Sequence, residues 1–266
     1  MDPLEAMHLD EQTIYEYIQI AMFVCAIIVF IALFKIPAGY GKTSSEKWML
    51  LGGVDNRLGW FLMELPTMLI LVYYFTGNGL EEIVGTVFLI VWMTHYIHRT
   101  FIFPWLIRGD KKMSTIIILM GALFNAANTY IQGRWIYLLA PENMYDIDWL
   151  SKPQFIAGVV IFYFGWITNI HSDYIIRNLR KERTDNKYYI PKGGMFKYVS
   201  APNYMGEMLE WLGWTIMTYS IAGLVFFIWT FANLAPRAVI THRWYKEKFG
   251  EEYRKLDRKA FIPYIW

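Results

Sequence analysis

The sequence predicts an all-α membrane protein of seven transmembrane helices, with the N-terminus outside and the C-terminus in the cytoplasm. Of the 266 residues, 56% are hydrophobic and only 18% are charged, whereas a soluble domain carries about 25% charge. The apolar residues form blocks of about twenty, the length of helix that crosses about 30 Å of hydrocarbon. Charges between the blocks are sorted by sign. The predicted segments are 13–34, 58–75, 81–103, 113–131, 153–171, 205–219 and 221–241.

Clusters of basic residues follow every second predicted segment, and they indicate the direction in which each segment crosses the membrane. They are Lys35, Lys42, Lys47 and Arg57 after the first segment; Arg99, Arg108, Lys111 and Lys112 around the end of the third; those at 177–197 after the fifth; and those at 237–259 around the end of the seventh. These are 23 of the 25 Lys and Arg residues, and the opposite side is acidic. Because basic loops stay in the cytoplasm, the sorting predicts an odd number of crossings. The break between the last two segments depends on Ser220 and Gly223 alone.

The chain is predicted to form one membrane domain over 1–266, because no polar linker or low-complexity stretch divides it. No internal repeat is evident, which disfavours a transporter. The first twelve residues are acidic and lack the basic region of a cleavable signal peptide. The single Cys25 excludes a disulfide, and the net charge of +2 leaves no nucleic-acid footprint. We expect a multi-pass protein of the bacterial inner membrane, or of the endoplasmic reticulum in a eukaryote, that is surrounded by lipid and has no obligate protein partner.

Two apparent motifs fail on their context, and a third common motif is absent. Gly41-Lys42-Thr43 imitates the end of a phosphate-binding loop, but Ile36 stands where that loop needs glycine and no strand precedes it. No GxGxxG is present, so a dinucleotide would be held without a Rossmann unit. His95 and His98 have metal-compatible spacing, but five histidines are too few for a membrane di-iron enzyme. We therefore predict no metal site.

Glu64 is the most informative residue, because it lies inside the apolar run 58–75. An ionisable group at membrane depth costs several kcal/mol unless it is paired, protonated or facing a polar cavity. The nearest flanking charge, Arg57, is seven residues away. Glu64 therefore predicts a functional site.

Other polar residues recur at helical spacing near the cytoplasmic ends of five segments. At about 100° per residue, each group turns to one side of its helix. The groups are Arg57, Trp60 and Glu64; Tyr96 and Arg99; Asn169, Asp173, Arg177 and Arg180; Asn203, Glu207 and Glu210; and Asn233, Arg237, Thr241 and Tyr245. Five helices that turn polar groups inward at similar depth would enclose a cavity for a sizeable polar ligand.

These groups also have a plainer interpretation, in which they serve the membrane fold alone. The arginines can contact lipid phosphates, and Asn203 and Asn233 can hold helices together. Trp60 and Tyr245 can be interfacial aromatic residues. Neither a solvated face nor an interfacial belt accounts for Glu64.

Seven stretches of the chain, in order, resemble the steroid 5α-reductase family, the NADPH-dependent 3-oxo-5α-steroid 4-dehydrogenases. They are PAGYGK at 37–42, GWFLMELPT at 59–67, HYIHRTF at 95–101, NIHSDY at 169–174, IPKGG at 190–194, YVSAPN at 198–203 and RKAFIP at 258–263. The stretch at 169–174 and the block that runs from 198 to Glu207 are the most specific.

The resemblance implies a seven-helix membrane fold that encloses NADPH on the cytoplasmic side and reduces the C4–C5 double bond of a 3-keto-Δ4-steroid or a related lipid enone. Glu64 and Tyr96 match the pair that binds the 3-keto oxygen of the substrate in that family. The positions that match its cofactor lining are Trp60, Arg99, Asn169, Asp173, Arg180, Asn203, Glu207, Arg237 and Tyr245.

The side chains at these positions can support that chemistry. Hydride addition to an enone moves negative charge onto the carbonyl oxygen, which Tyr96 and a protonated Glu64 can stabilise as hydrogen-bond donors. Burial among apolar groups favours the protonated form of a carboxyl. The arginines can neutralise phosphates by bidentate contacts, and the asparagines and carboxylates can bind the nicotinamide and a ribose.

The chain departs from the family at several positions. Met63 stands where the animal steroid reductases carry Gln, and a thioether cannot donate a hydrogen bond. Asp110 and Tyr189 stand where arginines are expected. We therefore expect a different substrate preference and a lower affinity for the cofactor.

Two other functions fit part of the pattern. One is a membrane methyltransferase, similar to the isoprenylcysteine methyltransferases, that uses S-adenosylmethionine; it has no need of Glu64 with Tyr96. The other is a sterol-binding or transport protein whose polar cavity only holds its ligand. A reductase of enoyl thioesters or polyprenols is a nearer variant that would keep the cofactor site.

Overall fold

The computed structural model describes residues 11–35, 51–80, 82–107, 111–179 and 188–266. Within these ranges the regular structure is helical apart from a two-stranded ribbon. The helices are α1 (Glu11–Lys35), α2 (Asn56–Asn78), α3 (Ile83–Ile97), α4 (Phe103–Leu106), α5 (Thr115–Arg134), α6 (Pro153–Asn178), α7 (Pro202–Thr218), α8 (Ile221–Phe249) and α9 (Glu251–Arg254). The strands are β1 (Gly53–Asp55) and β2 (Lys112–Ser114). π-helical turns follow α3 at His98–Ile102 and α5 at Trp135–Leu139, and 3₁₀ turns lie at Ile147–Ser151 and Gly194–Lys197.

Five helices are long and apolar enough to cross a membrane, so the all-α membrane class is confirmed. They are α1, α2, α5 with its π turn, α6 and α8. The two other predicted segments are also helical, as α3 and α7, with 15 and 17 residues. A helix is thus present in each of the seven predicted segments.

Several helices end at positions that the apolar runs of the sequence do not predict. α5 with its π turn, α6 and α8 continue to Leu139, Asn178 and Phe249, beyond the predicted ends at 131, 171 and 241. Apolar runs end where charged residues begin, but Lys and Arg are good helix formers and let each helix continue. The predicted break at Ser220 is confirmed. The backbone of Tyr219 adopts the left-handed conformation, with φ 47°, and ends α7. The Ser220 hydroxyl accepts from the Gly223 N–H at 2.9 Å and so caps the start of α8.

The chain divides into two compact units, one of Met1–Cys25 with Gly39–Trp149 and one of Ala26–Ala38 with Leu150–Trp266. In the first unit α2 packs along α5. Gly121 of α5 makes room for Met63, because a Cβ there would collide with the Met63 side chain. This close approach brings the middle of α2, including Glu64, directly onto α5.

The start of α2 is fixed by the ribbon that precedes it. β1 and β2 pair antiparallel, with Asp55 opposite Lys112. The Asp55 carboxylate accepts from the N–H groups of Arg57 and Leu58, at 3.0 and 3.2 Å, and so caps the helix. The cap sets where α2 begins, and with it the depth of Glu64.

In the second unit α6 and α7 lie antiparallel in close contact along paired glycines. A Cβ at Gly165 would lie 2.5 Å from the Gly206 carbonyl oxygen. Gly158 of α6 faces Gly213 of α7 in the same way, about two helical turns away from the first pair. α8 then packs on α7, where Trp211 and Phe226 have ring centroids 4.2 Å apart. The glycines allow the backbones to approach as small residues do between membrane helices.

Candidate functional site

Glu64 lies on α2 with its side chain buried, at 7% exposure. It does not face outward to lipid, because its Oε2 atom accepts a hydrogen bond at 3.1 Å from the Nδ2 amide of Asn125 on α5. Asn125 is itself 6% exposed. The carboxyl predicted from the sequence therefore lies in a polar contact inside the first unit.

Arg99 reaches the same carboxyl from the π turn after α3. Its Nε atom lies 3.8 Å from Glu64 Oε1, which is an ion-pair distance but longer than a hydrogen bond. Its guanidinium contacts two aromatic rings, 4.5 Å from the Trp60 centroid and 4.6 Å from that of Phe103. π turns occur often at functional sites, where they redirect side chains. The structure thus brings two predicted cofactor residues, Trp60 and Arg99, to Glu64.

Tyr96, the predicted partner of Glu64, lies on α3, which packs on α2. Only 3% of its surface is exposed. Its ring is 4.8 Å from that of Trp92, one turn earlier on the same helix. Tyr96 lies one turn before Arg99, so the end of α3 and the π turn that follows it carry these two predicted residues.

Three predicted residues of the second unit meet where α6 approaches the start of α7. The side-chain amide of Asn169 donates to the backbone carbonyl oxygen of Asn203 at 3.0 Å and to Glu207 Oε2 at 3.4 Å. Gly206 makes this possible, because a Cβ there would lie 2.5 Å from the Asn169 backbone nitrogen. Asn169, Asn203 and Glu207 therefore form one polar cluster, with an amide and a carboxylate side by side.

The remaining predicted residues lie on the same helices or outside the described ranges. Asp173 follows Asn169 by one turn of α6 and is half-buried. Arg237 and Tyr245 lie about two turns apart on α8, and the Tyr245 ring stacks on Tyr253 at 5.1 Å with an interplanar angle of 18°. Arg180, Asp110 and the Gly41-Lys42-Thr43 stretch lie outside the described residues.

A buried hydroxyl cluster near the C-terminus has no counterpart in the sequence prediction. Ser200 Oγ lies 2.5 Å from His242 Nδ1 and 2.6 Å from the Tyr253 hydroxyl, and it donates to the Lys259 carbonyl oxygen at 2.9 Å. Burial raises the pKa of the Tyr253 phenol, so it stays protonated at neutral pH. The cluster ties the C-terminal segment to α8 and holds the Tyr253 ring against Tyr245.

Asn125 is the residue at the Glu64 site that the prediction missed. A signal was present in the sequence, since Asn125, Asn128, Thr129 and Gln132 follow the spacing of one face of α5. All four side chains are buried. A polar face inside an apolar segment marks either helix packing or a site, and the structure places Asn125 of this face in contact with Glu64.

The two units offer different chemistry. The first holds a buried carboxyl, a phenol and a guanidinium, which suit a polarised carbonyl group. The second holds amides, two carboxylates and an arginine, a donor and acceptor set that fits the carboxamide, ribose hydroxyls and phosphates of a dinucleotide. Among the described residues, no three His, Cys, Asp or Glu side chains lie close enough together to bind a metal ion.

Comparison with known proteins gives a consistent result along the chain. A family model described as 3-oxo-5-alpha-steroid 4-dehydrogenase matches residues 111–266. The 3-oxo-5-alpha-steroid 4-dehydrogenase 1 of Rattus norvegicus is 37% identical over 262 residues, which cover 97% of this chain and 98% of the relative. Steroid 5-alpha-reductase DET2 of Gossypium hirsutum is 35% identical over 261 residues, 96% of this chain and 99% of that relative. The Homo sapiens 3-oxo-5-alpha-steroid 4-dehydrogenase 1 is 38% identical over 216 residues, 80% of this chain and 81% of its own length.

Proposed function

Because the chain belongs to the steroid 5-alpha-reductase family, we propose that it reduces the C4–C5 double bond of 3-keto-Δ4-steroids to 5α-3-ketosteroids, with NADPH as the reductant. The observation that carries the proposal is Glu64, a carboxyl buried in an apolar helix beside Asn125 and Arg99. A membrane helix retains such a group where the chemistry requires it.

Glu64 and Tyr96 act as the donors to the 3-keto oxygen. When hydride is added at C5, negative charge moves onto that oxygen, and protonation at C4 completes the reduction. A phenol and a protonated carboxyl aimed at the oxygen stabilise this charge, and burial makes each interaction stronger than it would be in water. The positive charge of Arg99 favours the ionised form of Glu64, so the donor role requires that desolvation of the buried carboxyl outweighs this attraction.

The polar cluster of the second unit binds the cofactor, which supplies the hydride when bound. Asn169 and Asn203 suit the nicotinamide carboxamide, because an amide pairs with an amide through one donor and one acceptor. Asp173 or Glu207 accepts from a ribose hydroxyl. Arg237 and Arg180 neutralise phosphate oxygens, and Tyr245 contributes a rigid aromatic wall through its stacking on Tyr253.

The finer topology belongs to the same proposal. The seven helical segments cross the membrane with the N-terminus outside and the C-terminus in the cytoplasm, which places the cofactor residues on the cytoplasmic side. The support is the charge sorting, because 23 of the 25 Lys and Arg residues fall on the side assigned to the cytoplasm. The membrane is the bacterial inner membrane, or the endoplasmic reticulum in a eukaryote.

The test is NADPH oxidation by the purified protein with testosterone, progesterone or androstenedione. Wild type should consume NADPH and yield the 5α product, whereas Glu64→Gln and Tyr96→Phe should each lower turnover by ~10² or more, the typical effect of losing one donor to a developing oxyanion. Both variants should still bind NADPH, measured by quenching of tryptophan fluorescence.

Matched controls are Glu82→Gln and Tyr73→Phe, which make the same chemical changes at exposed positions of the first unit. Both should behave as wild type. Equal activity of all five proteins would contradict the roles of Glu64 and Tyr96. Binding of S-adenosylmethionine in place of NADPH would favour a methyltransferase, and steroid binding without NADPH consumption would favour a binding protein.

A further inference from the structure

We propose that Asn125 is a positioning residue for Glu64 and that it determines which carboxyl oxygen carries the proton. The inference rests on the proposed function of Glu64 as a donor to the substrate carbonyl. Its basis is a pair of hydrogen bonds from one amide on α5 to two adjacent residues on α2.

The orientation of the Asn125 amide follows from its partners. Its nitrogen lies 2.7 Å from the Met63 carbonyl oxygen, and a carbonyl can only accept. The nitrogen must therefore face α2, and its second hydrogen points to Glu64 Oε2 at 3.1 Å. The backbone bond fixes the amide, and the fixed amide in turn fixes the carboxyl.

The two bonds lie in the part of α2 that precedes a proline. Pro66 has no N–H, so the Leu62 carbonyl, four positions earlier, does not receive its usual helical bond. The Glu64 carbonyl oxygen accepts from the Thr67 hydroxyl, at 2.5 Å. Side chains of α2 and α5 thus add hydrogen bonds to the backbone of α2 on both sides of this weakened turn, and Glu64 is held from both helices.

This arrangement has a consequence for the proton of Glu64. A protonated carboxyl has one carbonyl-like oxygen, which is the better acceptor, and one hydroxyl oxygen, which donates. Since Oε2 accepts from Asn125, the proton of the protonated carboxyl lies on Oε1, whose distance of 3.8 Å from Arg99 Nε is longer than a hydrogen bond. Asn125 therefore directs the donor oxygen of Glu64 away from α5, and the bond is strong because both side chains are buried.

The neighbouring Met63 offers a way to restore an amide from the other helix. Its side chain packs on Gly121, which lies one turn before Asn125 on the same face of α5. Glutamine is similar to methionine in length, so Met63→Gln would place an amide next to the space that the Asn125 side chain occupies.

The experiment compares wild type, Asn125→Leu, Asn125→Leu/Met63→Gln and Asn128→Leu in the NADPH-oxidation assay. Asn125→Leu conserves volume and removes the donor, so kcat should fall roughly tenfold while the KM for NADPH stays unchanged, as for an interaction used in the transition state alone. The double variant Asn125→Leu/Met63→Gln should recover most of the wild-type kcat. Asn128→Leu removes a buried amide from the same face of α5, so it lowers stability but leaves kcat as in wild type.

Several outcomes would overturn the inference. These are a wild-type kcat in Asn125→Leu, or an equal loss of kcat in Asn125→Leu and Asn128→Leu without rescue by Met63→Gln. If Asn125→Leu does not fold, Asn125→Ala, which removes the donor without adding bulk, gives the same comparison. Glu64→Gln separates the two proposals. If it retains full activity, the proposed role of Glu64 fails, whereas an inactive Glu64→Gln with fully active Asn125 variants overturns the role of Asn125 alone.

Discussion

Arg99 is held at the Glu64 site by its shape as well as by its charge. Its planar guanidinium lies against both Trp60 and Phe103, whose rings meet edge to face with centroids 5.2 Å apart. A delocalised, weakly hydrated guanidinium suits contact with aromatic rings, whereas an ammonium is a compact, strongly hydrated charge. The two rings therefore select arginine at this position and hold it next to the Glu64 carboxyl.

We expect Arg99→Lys to lower kcat/KM roughly tenfold, because cation–π contacts of a desolvated arginine are worth about 2 kcal/mol and lysine cannot reproduce both. The matched control is Arg57→Lys in the same unit, where the side chain is exposed and its guanidinium donates to the Ile107 carbonyl oxygen at 3.3 Å. Steady-state kinetics of both variants measures the difference. Equal values for the two variants would show that charge alone matters at position 99.

Single residues differ in how well the sequence reveals them. Glu64 could be predicted, because a carboxyl in an apolar run has a large energetic cost and few explanations. Asn125 could not, because an amide in a membrane helix has a small cost and is often helix packing. Its role depends on the contact between α2 and α5, where Glu64 and Asn125 are 61 positions apart in the sequence, and the approach of the two helices depends on Gly121.

At the scale of elements, the antiparallel pair α6–α7 positions the polar cluster of the second unit. Gly165 and Gly206 let the two backbones touch, and one turn further along α6 Asn169 reaches Asn203 and Glu207. Each of the two helices was predictable from its run of apolar residues. Their glycine contacts were not, because a glycine in a membrane segment does not indicate which helix it faces. The π turn that carries Arg99 likewise follows from packing and has no simple sequence signal.

We expect Gly165→Ala to destabilise the protein by about 1–3 kcal/mol and to weaken NADPH binding, because the added Cβ would meet backbone atoms of α7 at 2.5 Å that cannot rotate away. The control is Gly77→Ala in α2, where a Cβ would meet nothing within 4 Å. That change should be neutral or stabilise by up to about 1 kcal/mol, the difference in helix propensity. Thermal unfolding in detergent and NADPH titration measure both effects, and an unchanged Gly165→Ala would contradict the role of the glycine pair.

At the scale of the whole molecule, charge placement connects the sequence to the membrane. The described helices expose large apolar side chains in quantity, among them Ile20, Leu69, Leu123 and Val160, as expected for surfaces that face lipid. The structure supplies helices of the right length, and the distribution of Lys and Arg supplies a direction for each. Five helices are long and apolar enough to cross a membrane, and the proposal of seven crossings depends on the distribution of Lys and Arg for the shorter α3 and α7.

The orientation can be tested with cysteines on opposite predicted sides. In a Cys25→Ser background, Glu142→Cys lies on the predicted outer side and Lys255→Cys on the cytoplasmic side, and both positions are exposed. A membrane-impermeant maleimide should label Glu142→Cys in intact cells but Lys255→Cys only after permeabilisation, because basic segments stay in the cytoplasm. The reverse pattern would contradict the assigned direction. Labelling of both positions in intact cells would mean an even number of crossings between them, which the three predicted helices after residue 142 do not allow.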